Sequence, residues 1–448
     1  MTKGSKLVGV VSLGCDKNRV DTERMLSRLV AGGYEITPQP QDAQVIIVNT
    51  CAFINAARKE AVDTVLEMAS YKQTGKLERL IVTGCLPAGH KKELQKGIPE
   101  VDAFLGTEEY DGICEVVASL YPKEGGDGVS AEKAPAADGP AKSTRILTTP
   151  LHYAYLKIAE GCNNRCSFCT IPSIRGPYRS FSSYSLLTEA HELAAGGVRE
   201  LILVAQDTAR YGTEGGASPG LHRLLPLLAD IPGIEWVRLL YCYPEAVTDG
   251  LLDVVANHPR VARYIDIPFQ HADDGVLQRM NRQTTYADMV SLMERIRKAS
   301  PEIAVRTTFI AGFPGESEDA FERLCRFVTD YRPEHAGFFP YSREQGTPAY
   351  SFPDQIPAAV KSRRVKTLAR LQYENVLRKN TEMIGSTVRV LYEGVDYDRG
   401  LFYGRTQQNA PDIDGKVYFK GTFADVGQFY NVKVTGVAGG YDLKGKMV

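Results

Sequence analysis

Cys162, Cys166 and Cys169 lie in the run A-E-G-C-N-N-R-C-S-F-C-T-I-P, so three thiols within eight residues can reach one metal centre. A tetrahedral zinc site takes four nitrogen or sulfur ligands, usually as two separated pairs, and no fourth Cys or His stands near this C-x3-C-x2-C stretch. A cubane 4Fe-4S cluster held by three thiolates would keep one iron open for a substrate. The spacing therefore favours an iron–sulfur cluster with an open position over structural zinc or uncommitted loop thiols.

A second set of thiols is dispersed along the chain. The runs K-L-V-G-V-V-S-L-G-C, A-Q-V-I-I-V-N-T-C and R-L-I-V-T-G-C are almost continuously apolar, end in cysteine and precede helical stretches. They predict strands of a parallel sheet covered on both faces. The carboxyl ends of such strands share one edge, where ligands bind, so Cys15, Cys51 and Cys85 are expected there as ligands of a second cluster. One cysteine at a strand end would mean little more than a buried residue, whereas three in equivalent places point to a metal centre. Cys114, Cys242 and Cys325 fit neither set and read as buried structural thiols. Trp236 and the seven histidines show no ligand spacing.

The elements that must position these residues form an α/β chain in three parts. Residues 5–121 give an N-terminal parallel α/β sheet domain. Residues 122–147, rich in Gly, Ala, Pro and charge with no apolar period, read as a linker. Over 148–378, six strand candidates from Y-A-Y-L-K-I-A to A-G-F-F-P-Y-S alternate with helical periods. They predict a partial (β/α)6 barrel with its chemistry at the carboxyl ends of the strands. The Cys162 set falls just past the first strand. Gln206 and Asp207 end the second, Gln270 and His271 follow the fourth, and Arg306 lies within the fifth; each alone is also compatible with a solvated or ion-paired residue. Residues 379–448 switch to short alternating runs with turns between, which predicts a small antiparallel β-barrel.

Bulk composition narrows the partners. Fifty-three basic and 54 acidic residues leave the chain nearly neutral, so global charge does not argue for nucleic acid. Residues 381–448 hold eight Lys+Arg and eight Asp+Glu, without the basic excess of an RNA-binding barrel. Asp396, Asp398 and Asp412 are available there to a basic partner. The apolar start from Leu7 to Leu13 runs into polar D-K-N-R and reads as a first strand rather than a lipoprotein signal. No apolar stretch approaches the ~20 residues needed to span a bilayer. Nine cysteines, clustered or at strand ends, suit a reducing compartment, so a cytoplasmic protein without a membrane partner is expected.

The C-x3-C-x2-C stretch resembles the radical S-adenosylmethionine superfamily. That resemblance implies that the open iron chelates the amino and carboxylate groups of S-adenosylmethionine and that Phe168 lies against the cofactor. It also implies that Gln206 and Asp207 recognise the methionyl amino group and that Gly312, in G-F-P-G-E, lets the backbone approach the adenine. Arg306 would hold the carboxylate through its planar fork. Over essentially the whole chain, the two cysteine sets and the terminal barrel resemble the methylthiotransferases, with an N-terminal cluster domain, a radical S-adenosylmethionine barrel and a TRAM domain. The stretches S-L-G-C-D-K-N-R-V-D-T-E, C-T-I-P-S-I-R-G and S-R-E-Q-G-T-P-A-Y look most like the RimO type, which modifies an aspartate of small-subunit ribosomal protein S-twelve. The tRNA-modifying MiaB type tends to carry Gln-Met after the first cysteine, where this chain has Asp16-Lys17; Asp16 also departs from the proline common in the RimO pattern.

The resemblance implies two 4Fe-4S clusters and two uses of S-adenosylmethionine. One molecule methylates a sulfur at the auxiliary cluster; another is cleaved to a 5′-deoxyadenosyl radical that takes hydrogen from the β-carbon of the aspartate. An external electron donor and a sulfur donor are expected partners. The alternatives are a tRNA adenosine methylthiotransferase with the same cofactors, or an iron–sulfur carrier or scaffold that does no chemistry.

Overall fold

Apolar runs of β-branched residues become the strands of a computed structural model that describes residues 6–121 and 145–448. In the N-terminal part, β1 (Leu7–Ser12), β2 (Glu35–Thr37), β3 (Val45–Thr50), β4 (Arg79–Gly84) and β5 (Ala103–Leu105) form one parallel sheet. Its order is β2-β1-β3-β4-β5, so the three strands that lead into cysteines are neighbours. β3 is buried along its full length, as expected of a central strand covered on both faces.

The second sheet is parallel and ordered by sequence. β6 (Tyr153–Lys157) is followed by the two-residue ribbon of β7 (Ala159–Glu160) and β8 (Arg179–Ser180), which lies outside that sheet. Next come β9 (Glu200–Val204), β10 (Trp236–Leu239), β11 (Val261–Asp266), β12 (Ala304–Ala311) and β13 (His335–Pro340). With β6 at one edge and β13 at the other, the six strands form an open, partial barrel. Alternation divides its two faces. Ala154, Leu156, Leu201 and Leu203 pack under the helices, while Tyr153, Tyr155, Ile202 and Val204 face inward with Val20 and Ala410. Val20 comes from the helix Asp16–Ala31 of the N-terminal part, and Ala410 from a loop of the terminal barrel. The inner surface is thus covered by both flanking parts.

The terminal barrel closes through β14 (Thr387–Asp396), β15 (Leu401–Arg405), β16 (Val417–Lys420), β18 (Asp442–Met447) and β17 (Phe429–Ala438). All pairings are antiparallel except β16 with β18. β18, D-L-K-G-K-M, lacks a clean apolar period; its Leu443 alone reaches the barrel core among the fully buried residues. The barrel docks at the amino ends of the central strands through buried charge. Glu200 at the start of β9 meets Arg238 at 2.6 Å and Arg405 at 2.7 Å, and Arg405 meets Glu393 at 2.8 Å. A 25-residue helix, Ala358–Glu382, braces the open β13 edge, with Lys379 3.0 Å from Glu334 and Asn380 donating to Gly440 O.

The linker reading falls on residues outside the described ones as far as 144. Arg145, at its far end, is fixed instead: its buried guanidinium pairs with Glu23 of the first helix and, at 2.6 Å, with Glu189. Among the described residues no helix is long and apolar enough to cross a membrane.

Candidate active site

Three adjacent strands deliver three thiols. Cys15 follows β1 and precedes the helix Asp16–Ala31, Cys51 directly follows β3, and Cys85 opens the helix Cys85–Gly97 after β4. Asn18, fully buried, ties the loops together: its Nδ2 donates to Leu13 O at 3.1 Å and Thr50 O at 3.0 Å, and its Oδ1 accepts from Cys85 Sγ at 3.7 Å. Burial pushes the Cys51 thiol up and Cys85 up to about 11, opposed at both by Arg175, while negative charge on Cys15 raises each further. Gathered, desolvated thiols of this kind become good thiolate ligands once a cationic iron centre supplies the compensating charge.

Gly14 makes the approach possible. Its φ is +91°, and a Cβ there would lie 2.6 Å from Cys51 Cβ and 3.2 Å from its Sγ. Gly14→Ala is expected to destabilise the fold by about 1–3 kcal/mol through the strained backbone and to lower the iron held by the Cys15 set. Chemical denaturation and iron content of reconstituted protein measure both; unchanged values would show that the loop has room.

The Cys162 loop is pinned from several sides. Asn163 accepts from Tyr178 N at 3.0 Å, Asn164 donates to Asp207 at 3.2 Å, Ser167 N donates to Met280 O, and Cys169 N to Cys166 O at 3.1 Å. Burial pushes Cys162 up to about 11 and Cys169 up to about 12, and the charges within the set add to the rise. Among the described residues no three His, Cys, Asp or Glu side chains converge as around a single ion. A cubane attaches its thiolates to separate irons, so it does not ask for that convergence.

Most of the expected cofactor-binding residues gather beside this loop. Asp207 is fully buried, holds Arg210 at 3.0 Å and is pushed up to about 6 by burial, with Arg210 opposing. Gln206 donates to Glu160 at 2.7 Å, while its Oε1 is buried with no partner. Phe168 packs edge-on to Phe313 at 6.4 Å, next to Gly312 (φ +75°), whose N–H donates to Glu316 at 2.6 Å. An unmet acceptor and an aromatic wall suit the ammonium and adenine of S-adenosylmethionine, whereas the space beside Gly312 is filled by the Lys361 stem. Arg306 is placed apart, three residues into β12, with Asp266 at 3.3 Å and Asp414 of the terminal barrel at 3.7 Å. Its charge is answered by two carboxylates, one of which belongs to the terminal barrel, so the pair ties the two domains together. Asp412 is likewise engaged, accepting from Tyr153 OH at 3.5 Å, and Asp396 accepts from Arg399 N within its own hairpin.

One buried network joins the two cysteine sets. Arg175, three residues past Pro172, places Nη2 3.3 Å from Cys85 Sγ and on Asn18 Oδ1, and Nη1 3.0 Å from both Asp21 and Glu160. Lys157, fully buried at the end of β6, pairs with Asp21 and, at 2.7 Å, with Glu160. Glu160 then receives Gln206, so the path runs from Cys85 to the Cys162 side. Across the same gap, Glu344 accepts from Asn55 N at 3.0 Å and holds Arg58, which fixes the loop after Cys51 against the barrel. Sequence reasoning passed over Asn18, Asp21, Lys157, Glu160 and Arg175. The available signals were the lysine inside an apolar strand and the arginine inside C-T-I-P-S-I-R-G.

Residues 7–106 match the model of a family described as uncharacterized protein family UPF0004, residues 156–328 match the radical SAM superfamily, and 384–448 match the TRAM domain. The chain is 43% identical to the ribosomal protein uS12 methylthiotransferase RimO of Geobacter sulfurreducens over 451 residues, covering 100% of each. It belongs to the RimO family. The RimO of Acetivibrio thermocellus is 45% identical, with 99% of this chain and 98% of that one aligned. Among solved structures, the radical S-adenosylmethionine methyltransferase TsrM of Kitasatospora setae aligns at TM-score 0.57 and 15% identity, over 77% of this RimO-family chain and 74% of that chain. The cobalamin-dependent radical enzyme OxsB aligns at TM-score 0.50 and 13% identity, over 82% and 56%. At those identities the likeness concerns the fold.

Proposed function

We propose that this chain methylthiolates the β-carbon of an aspartate in uS12, the small-subunit protein S-twelve, with two 4Fe-4S clusters and S-adenosylmethionine. The observation that carries the reading is the pair of separate three-cysteine sets, Cys15–Cys51–Cys85 and Cys162–Cys166–Cys169, with Arg175 linking Cys85 of the first to Glu160, two residues before Cys162 of the second. A carrier or scaffold has no use for two such sets beside a radical S-adenosylmethionine barrel. When bound, S-adenosylmethionine and the clusters supply a methyl group for sulfur and the means to remove hydrogen from an unactivated carbon.

The chain's own residues do the positioning. Gln206 Oε1 would accept from the methionyl ammonium, and Phe168 and Phe313 would wall the cofactor. Residues 5–121 carry the auxiliary site, 148–378 the radical site, and 379–448 brace the barrel and contribute to docking of the substrate. An external electron donor and a sulfur donor complete the reaction, which we place in the cytoplasm with the ribosome.

Mass spectrometry tests the substrate. Incubation under reducing, anaerobic conditions with uS12 or its aspartate-bearing loop peptide is expected to replace one hydrogen by a methylthio group and to leave isopentenyl-adenosine tRNA unchanged. Modified tRNA beside an untouched peptide would transfer the chain to the tRNA reaction.

A further inference from the structure

Two charged residues, Asp16 and Lys17, directly follow Cys15. The Lys17 side chain is nine-tenths buried, its ammonium 3.3 Å from Asp16 Oδ1 and 3.3 Å from the centre of the Tyr241 ring. Tyr241 is held at φ 61°, rare for a bulky residue, and its hydroxyl donates to Asp16 Oδ1 at 3.3 Å. Two residues on, the Tyr243 hydroxyl lies 3.4 Å from Cys166 Sγ. One short segment after β10 thus touches Lys17, beside Cys15, with its first tyrosine and the Cys162 set with its second. Lys17 is linked through this segment to the Cys162 set.

That position is costly. Taking an ammonium out of water is repaid only by pairing, and here it meets one carboxylate oxygen and an aromatic face. Asp16 Oδ2 is buried with no partner at all. Buried polar atoms are normally satisfied, so an ammonium with donors to spare next to an unmet carboxylate oxygen describes a subsite for a ligand with one acceptor and one donor. A peptide aspartate offers both: a carboxylate attached to the β-carbon, and a backbone N–H. Of the nearby cations Arg175 is fully committed, while Arg282 keeps a buried Nε without a partner. Arg175 serves Asp21, Glu160 and Asn18, and Arg282 lies 3.8 Å over the Tyr243 ring and donates to Pro268 O.

We infer that Lys17 binds the side-chain carboxylate of the substrate aspartate while Asp16 Oδ2 accepts from a substrate N–H, presenting the β-carbon between the two cysteine sets. This rests on the methylthiotransferase reading and assigns its substrate-specificity residue. The carboxylate is held by charge rather than by shape, so an asparagine in its place loses the charge-assisted bond.

The test compares peptide affinities on anaerobically reconstituted wild-type protein and Lys17→Met, which keeps the length of the stem and removes the charge. The probes are the uS12 loop peptide and the same peptide with its target aspartate replaced by asparagine, read by fluorescence anisotropy. Wild type is expected to prefer the aspartate peptide by about tenfold or more, the scale of one hydrogen bond to a charged group. Lys17→Met should bind both peptides alike, at the weaker level, and Lys17→Arg should keep part of the preference; iron content and circular dichroism report folding. Wild type that does not discriminate overturns the inference whatever the variants do, as does a folded Lys17→Met that discriminates like wild type. Wild type that discriminates but never methylthiolates the peptide sinks the functional reading instead.

Discussion

Alanine at Cys162, Cys166 and Cys169 is expected to remove one of two 4Fe-4S clusters and all reductive cleavage of S-adenosylmethionine, leaving about half of the iron. The expectation follows from the separate frames of the two sets. The Cys162 loop hangs on contacts to Tyr178, Asp207 and Met280, none of which belongs to the N-terminal sheet. Cys15, Cys51 and Cys85 hang on β1, β3, β4 and Asn18. Emptying one frame therefore leaves the other standing. The reciprocal variant, alanine at Cys15, Cys51 and Cys85, should still release 5′-deoxyadenosine under dithionite while making no methylthio product. Iron analysis, electron paramagnetic resonance and product chromatography read the two variants side by side. Full iron in the first would refute the ligand assignment. Equal loss of 5′-deoxyadenosine in both would refute divided roles.

The reason that so much of this arrangement was legible is that it depends on strand order and strand ends. V-I-I-V-N-T-C and R-L-I-V-T-G-C announce buried parallel strands by their apolar continuity, and parallel topology then puts their last residues on one edge. C-N-N-R-C-S-F-C is legible because its spacing is local. What stayed hidden depends on side chains meeting across long sequence separations. Arg175 and Cys85 are 90 positions apart, and Arg306 and Asp414 come from different domains, so no window of sequence shows that one arginine serves a thiol and the other a structural carboxylate. β18 was hidden for another reason: a strand of a closed barrel with Lys and Gly in its middle is held by pairing to β16 and β17 and has little apolar period of its own. Arg145 shows the same limit at a composition boundary, where a low-complexity run ends in a residue that the fold buries.

Arg175→Met is expected to destabilise the protein by about 3–5 kcal/mol, the range found when one partner of a buried ion pair is removed. Its guanidinium is shared among Asp21, Glu160, Asn18 and Cys85, all withdrawn from solvent, and without it Lys157 is the one ion-pair cation left between two carboxylates. Arg175→Lys should recover only part of the loss, because a point-like ammonium cannot replace a fork that spans four acceptors. The pH dependence carries a sign that identifies the cause. Burial would raise Glu160, but Lys157 and Arg175 overcome it and hold the carboxyl at about 2. A depressed carboxylate contributes stability above its unfolded value of about 4.5 and loses it as pH falls from there towards 2. In Arg175→Met the folded value rises, so the contribution shrinks at neutral pH and the acid dependence over that interval flattens. The Cys85 thiol, already high, loses the cation that lowers it and should be alkylated more slowly in apo protein at a fixed pH below its pKa. Urea midpoints for wild type and both variants at several pH values, with iodoacetamide rates at Cys85, separate these effects. Matching midpoints for wild type and Arg175→Met would mean that the bridge between the cysteine sets contributes no stability.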